Sequence, residues 1–288
     1  MRIPDLLAGG RPVFSFEFFL PRSEAALPAF FESVREFRKL QPDFVSLTYG
    51  AGGSQRGLTV DAAGKIKNAI GLETACHLSC ITHTRAEIAA LLDRIAEHGI
   101  SHIVALRGDA PKEGGFPLSQ SRDFPHGRDL VEFVRARGGF SVAVAGYPET
   151  HPEAASAEED LAHLSEKVRA GGDWIITQLF FDNRHYFDFV ERARKKGIRV
   201  PIVPGIMPVA SPAQLKKFTT LCGVAVPEEL EREIAARAWN PEEVSRYGVE
   251  YATRQCRELL EKGVPGIHFY TLNRGHAAAE IINRIRRF

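Results

Sequence analysis

A single α/β domain folded as a (β/α)8 TIM barrel is what this 288-residue sequence predicts, and three observations carry that reading. Eight apolar runs rich in Val, Ile and Phe recur along the chain. Amphipathic helical patterns alternate with them, and glycines stop several of those helices just before the next run. The length exceeds an ordinary domain but fits one barrel over residues 1–288. An open doubly wound sheet is the structural alternative, and eight repeats fit closure better.

The predicted strands are, in order, "VFSFEFF" (13–19), "DFVSLTY" (43–49), "ETACHLSC" (73–80), "HIVALRG" (102–108), "FSVAVAGY" (140–147), "WIITQLFF" (174–181), "PIVPGIM" (201–207) and "GIHFYTL" (266–272). Between them lie patterns such as "AEIAALLDRIAEHG", where Ile88, Leu91, Leu92 and Ile95 form one apolar stripe. Gly99, Gly138-Gly139, Gly171-Gly172, Gly197 and Gly263 mark helix ends. Extra helices are expected between strands seven and eight.

Composition narrows the function. Thirty-seven basic against 36 acidic residues leave a formal charge of +1, which favours a small-molecule partner over nucleic acid or an anionic membrane. The start, "MRIPDLLAGGRPVF", does not read as a signal peptide. The longest uncharged stretch, "VPIVPGIMPVASPAQL", holds four prolines and cannot span a membrane as a helix. Four cysteines form no disulfide framework and suit a reducing cytoplasm.

A barrel places chemistry at the C-terminal ends of its strands. Alternation along strand one puts Val13, Ser15, Glu17 and Phe19 on one face and Phe14, Phe16 and Phe18 on the other. The three phenylalanines suit the helix-packed outside, so Glu17 is expected inside, near the top. A structural reading pairs it with Arg or Lys, but only Arg107 stands out as an inward cation. Desolvation would then raise its pKa, the property wanted of a general acid.

Other segments are weighed the same way. "YGAGGSQRGLT" (49–59) fails both nucleotide motifs: Gln55 stands at the third glycine of G-x-G-x-x-G, and Leu58 where a P-loop needs lysine. In "CHLSCITH" (76–83), strand alternation turns His77 and His83 away from Cys76 and Cys80, so one metal cannot collect all four and no metal site is expected. Arg107 and Asp109 in "ALRGD" suit a structural ion pair as well as a site. "GYPETHPEA" carries Tyr147 and His151 on a two-proline loop able to clamp a flat ligand. Asp160, His163 and Lys167 share one helix face, for which solvation is the plain reading. Gln178 is the lone amide in "ITQLFFD" and offers donor and acceptor together. Gln214 and Phe218 lie four apart on a helix, where core packing is the default for Phe218.

Taken together, "FSFEFF", "DFVSLTYGAGG", "CHLSC", "HIVALRGD", "GYPETHPEA", "ITQLFFD", "PGIMPV" and "HFYTLNR" resemble, in order from strand one to strand eight, the methylenetetrahydrofolate reductase family in its short bacterial form. The resemblance implies a barrel with non-covalent FAD across its top. It also implies a two-step reaction of one-carbon metabolism that serves methionine biosynthesis. NADH or NADPH reduces the flavin, and 5,10-methylenetetrahydrofolate then takes the same place and leaves as 5-methyltetrahydrofolate. Glu17 matches the family's general acid, which protonates the leaving nitrogen as the folate's five-membered ring opens. Asp109 matches an aspartate beside the flavin, where a negative charge disfavours the anionic reduced form and can hold the pterin. The implied FAD positions are Thr48, Tyr49, Ala51, His77, Leu106, Arg107, Gly108, Asp109, Tyr147, His151, Ala154, Asp160, His163 and Lys167. The implied substrate positions are Glu17, Thr48, Asp109, Gln178, Tyr186, Gln214, Phe218 and Arg274.

The chain departs from the family pattern at "FPHGRDL", where a Tyr-Ala pair often precedes Asp-Leu, and at Glu166, where a basic residue is common. It stops after strand eight and one helix, so the resemblance implies no C-terminal regulatory domain and no inhibition by S-adenosylmethionine. Relatives lead us to expect a cytoplasmic homo-oligomer. Competing readings are folate reduction with electrons from a partner redox protein, a metal-dependent barrel hydrolase using His77 and Asp109, and a flavin- or folate-binding module without catalysis.

Overall fold

In the computed structural model, which describes residues 2–21, 23–49, 56–108 and 123–286, eight parallel strands close in sequence order. They are β1 (Val13–Phe18), β2 (Phe44–Leu47), β3 (Thr74–Ser79), β4 (His102–Leu106), β5 (Ser141–Gly146), β6 (Trp174–Leu179), β7 (Ile202–Ile206) and β8 (Gly266–Tyr270). Closure is made by β1 against β8, in register from Val13↔Gly266 to Glu17↔Tyr270. Each strand stops a residue or more short of its predicted apolar run, because the chain leaves the ladder there to build the rim.

The described helices are α1 (Ile3–Leu7), α2 (Leu27–Arg38), α3 (Arg56–Lys65, prolonged by a π turn Ile66–Ile70), α4 (Arg85–Glu97), α5 (Gly127–Arg137), α6 (Ala157–Arg169), α7 (Asn183–Lys195), α8 (Pro212–Cys222), α9 (Glu228–Ala236), α10 (Pro241–Glu261) and α11 (Gly275–Ile285). The extra helices expected between strands seven and eight are α8, α9 and α10. Local chemistry starts and stops them. Thr84 caps α4 by accepting from Glu87 N at 3.2 Å, while Glu87 accepts from Thr84 N at 2.8 Å. Gly99 and Gly263, two of the predicted stops, have φ of 71° and 76°.

Strand parity sorts the core into layers. Phe16 and Phe18 point outward and meet Phe37 of α2 edge-on, at centroid distances of 4.9 and 4.8 Å. Each such ring contributes about 1.5–3 kcal/mol through burial. Val13, Phe44, Ala75, Val104, Ala143, Trp174 and Val203 fill the barrel interior, with Ile3 and Leu7 of α1 packed against them. A third cluster joins Leu179, Phe181, Met207 and Leu215 to Leu230, Ile234, Val244 and Tyr247 of the extra helices. The interior filling gives way to polar groups at Ser15, Glu17, Ser46, His77 and His268, all buried. No described helix is long and apolar enough to cross a membrane.

Candidate active site

Glu17 sits inside the barrel, 6% exposed, as strand parity predicts. Its partners are not the Arg or Lys of the structural reading. Oε2 lies 3.3 Å from His77 Nε2 on β3 and 3.4 Å from His268 Nε2 on β8. Ser46 Oγ donates to the same oxygen at 3.5 Å. Ser15 Oγ is 2.7 Å from His268 Nδ1, which fixes the ring's orientation, and Phe44 stacks on its face at 6.2 Å.

The charge state reverses the expectation. Burial alone pushes the Glu17 carboxyl up, but His77 and His268 together outweigh it and pull it down to about 2. The protein by itself therefore holds Glu17 as a carboxylate, clamped between two imidazoles. His268 and Ser46 carry no motif that marks them in the sequence. Parity could have found His268, which alternates with Gly266 and Tyr270 on the inward face of β8.

Above this cluster opens a cleft of about 990 Å³. Phe19, two residues beyond Glu17, lies on its wall. Eleven of the expected cofactor positions line it: Thr48, Tyr49, Leu106, Arg107, Gly108, Tyr147, His151, Ala154, Asp160, His163 and Lys167. Ala51 and Asp109 lie outside the described residues. His77 faces the barrel interior one inward position deeper than Ser79, which does line the cleft, and it serves Glu17 instead.

The cleft walls are rich in cations held by specific partners. Lys167 Nζ donates to Ala145 O at 2.7 Å, and burial lowers its pKa from 10.5 to about 8. Arg107 Nη2 pairs with Glu153 at 2.7 Å. Arg128, in the first turn of α5, pairs with Glu166 at 3.0 Å. The family's basic residue at position 166 is thus absent, yet a guanidinium occupies that corner from another helix. His151 is held by Tyr147, edge-on at 4.5 Å, and its backbone N donates to Asp160 at 3.0 Å; burial lowers its pKa. Gly108 has φ of +86°, and a Cβ there would lie 1.9 Å from Ser79 Oγ, so only glycine allows this wall.

The cleft fits the cofactor that the sequence implies. Its volume stands at the upper end of the roughly 300–1,000 Å³ of small-molecule sites, room for a dinucleotide. Two arginines and a lysine suit a diphosphate, and Tyr147, His151 and Phe19 offer flat faces.

The expected substrate residues separate. Gln178 lies near the top of β6 and accepts from Leu179 N at 2.8 Å, and Arg274 is exposed at the start of α11. Phe218 is partly buried against the cluster over α8–α10. Gln214 spends its amide on the loop after β7, accepting from Ala210 N at 2.6 Å and donating to Pro208 O at 3.2 Å. Tyr186 is a correction: it is 3% exposed between α7 and the outside of the sheet, its hydroxyl donating to Ile202 O at 2.7 Å. Outward packing against Phe180, at 5.7 Å, removes it from any ligand at the barrel top.

Comparison with known proteins agrees with this architecture. Residues 2–286 match the family model for methylenetetrahydrofolate reductase. A 5,10-methylenetetrahydrofolate reductase of Pectobacterium carotovorum subsp. carotovorum is 41% identical over 276 residues, covering 96% of this chain and 91% of that protein. Its counterpart in Escherichia coli (strain K12) is 38% identical over 271 residues, 94% of this chain and 90% of that one. The methylenetetrahydrofolate reductase (NADH) 1 of Arabidopsis thaliana is 36% identical over 98% of this chain, which spans only 49% of the plant protein. Among solved structures, a Clostridium thermocellum protein described as binding two copies of 5-methyl-5,6,7,8-tetrahydrofolic acid superposes with a TM-score of 0.66 at 13% identity, covering 100% of this chain and 99% of that one. That likeness shows the shared barrel.

Proposed function

Because the chain belongs to the methylenetetrahydrofolate reductase family, we propose that it reduces 5,10-methylenetetrahydrofolate to 5-methyltetrahydrofolate with electrons from NADH or NADPH, in two half-reactions through FAD. When bound, FAD supplies the hydride chemistry, accepting from the nicotinamide and donating to the folate. The observation that carries the reading is an inward carboxylate two residues before Phe19, which lies on the wall of a cleft of dinucleotide size that also holds Arg107, Arg128 and Lys167.

Thr48, Tyr49, Gly108, Tyr147 and His151 would hold the flat parts of the cofactor, while Arg107, Lys167 and Arg128 would face its diphosphate. Arg107 would exchange Glu153 for phosphate, which an exposed ion pair gives up at little cost. Glu17 delivers the proton that opens the folate ring. Since the two imidazoles favour its carboxylate, Glu17 must take up the proton it delivers before the ring opens. Gln178 would read the pterin edge, its amide nitrogen making no hydrogen bond among the described residues. Arg274 would attract the folate's anionic tail, Phe218 would stack, and Gln214 would shape the loop that carries the substrate wall. Asp109 would lower the flavin's potential.

The test begins with colour. The purified protein is expected to be yellow and to release FAD on denaturation. Anaerobic NADH or NADPH should bleach it, and methylenetetrahydrofolate should restore the colour with formation of the methyl product. A colourless protein carrying stoichiometric zinc would refute the proposal. Bleaching by dithionite but by neither nicotinamide, followed by folate reduction, would move the electron source to a protein donor.

A further inference from the structure

The regular pairing of β1 with β8 ends at Glu17↔Tyr270. Beyond it the two chains turn into different loops, yet they stay joined. Phe19 N donates to Asn273 Oδ1 at 2.8 Å, and Asn273 Nδ2 donates to Phe19 O at 2.6 Å. One side-chain amide thus continues the sheet by a residue, copying a backbone's donor and acceptor. Thr271 Oγ1 donates to Glu17 O at 2.6 Å and accepts from Asn273 N at 3.1 Å. Ser33 Oγ of α2 holds Asn273 O at 3.3 Å.

The backbone that presents this amide is strained. Leu272 and Asn273 have φ of 48° and 61° in succession. Asparagine tolerates the left-handed region, whereas leucine is disfavoured there. Such strain persists where surrounding contacts over-determine it, and it gathers at functional sites. Barrel closure does not require the clamp, because five residue pairs already join these strands. What it fastens is the backbone on both sides of the acid: the carbonyl of Glu17 and both polar atoms of Phe19, whose ring lies on the cleft wall. It also sets the start of α11, since Arg274 N donates to Thr271 O at 2.8 Å.

We infer that Asn273 is a positioning residue: with Thr271 it fixes where Glu17 meets the folate, without touching either substrate. The inference rests on the proposed folate reduction. It also limits the effect to one half-reaction, because hydride transfer from nicotinamide to flavin does not use Glu17.

The test is Asn273→Gly, which keeps the left-handed backbone accessible and removes the amide, followed by anaerobic stopped-flow of each half-reaction in the FAD-loaded enzyme. Flavin reduction by NADH or NADPH should stay within about twofold of wild type. The limiting rate of folate reduction should fall by about tenfold to a hundredfold, the scale of a misplaced reacting group, with a smaller change in folate KM. Should the glycine variant lack bound flavin, Thr271→Val removes the bond to Glu17 O at nearly constant volume, and the same ratio is expected to move. A ratio of the two half-reactions within about twofold of wild type in the folded variant would overturn the inference. Wild-type enzyme that takes hydride but never reduces the folate would overturn the functional proposal as well, so the two failures are told apart.

Discussion

Replacing Glu17 with glutamine should split the two half-reactions. Glutamine keeps the shape of a side chain that is 6% exposed and removes the charge that faces His77 and His268 at 3.3 and 3.4 Å. A positioned general acid contributes about 10²–10⁴ in rate. Folate reduction should therefore fall by at least about a hundredfold, while bleaching by NADH or NADPH should change by no more than about twofold. A second readout follows from the same charge. The carboxyl of Glu17 is lowered in the folded protein from 4.5 to about 2, so the stability it adds is present above about 4.5 and lost as pH falls through about 2. The shift corresponds to roughly 3 kcal/mol. Urea unfolding of both proteins should show a gap in stability at neutral pH that closes as the pH is lowered from about 5 towards about 2. Equal loss of both half-reactions, with a gap that ignores pH, would show that Glu17 is a packing carboxylate and not the acid.

Three further outcomes follow from the same geometry. His268→Leu removes one of the two imidazoles that lower Glu17, so the alkaline limb of folate reduction, where the general acid loses its proton, should move to higher pH. An unmoved limb would assign the lowering to His77 alone. Lys167 is charged below about 8, so FAD binding measured by fluorescence should weaken as pH rises through that value. Lys167→Met should bind about tenfold less tightly at neutral pH, without that dependence. Because the folded pKa lies below the ordinary 10.5, wild type should also gain stability from about pH 8 to about pH 10.5, a gain the methionine variant lacks. In Gly205→Ala the new Cβ would stand 2.4 Å from Thr177 O and 2.5 Å from Tyr270 Cε2. It should displace the Tyr270 hydroxyl that donates to Thr177 O at 2.7 Å and cost about 1–3 kcal/mol by denaturant midpoint.

Strand periodicity made the barrel legible because it depends on local order alone. Alternation in "VFSFEFF" placed three phenylalanines outward and Glu17 inward, and both placements hold. What Glu17 meets there depends on closure, which joins residues 251 positions apart. An inward histidine on the last strand becomes the neighbour of an inward glutamate on the first only when β8 seals against β1. A raised pKa follows from burial alone, which is legible locally, whereas the two imidazoles that lower it come from distant strands. Gln214 and Tyr186 show the opposite dependence, on partners close in the fold. Their types and positions suit a ligand, but each has a backbone partner within 2.7 Å, and a polar group already satisfied by its own fold has less to offer a substrate. Asn273 escaped notice for a related reason. Its amide binds only backbone, so no motif of charge or hydrophobicity marks it, and its importance emerges only when the strands it joins are seen to end at the acid.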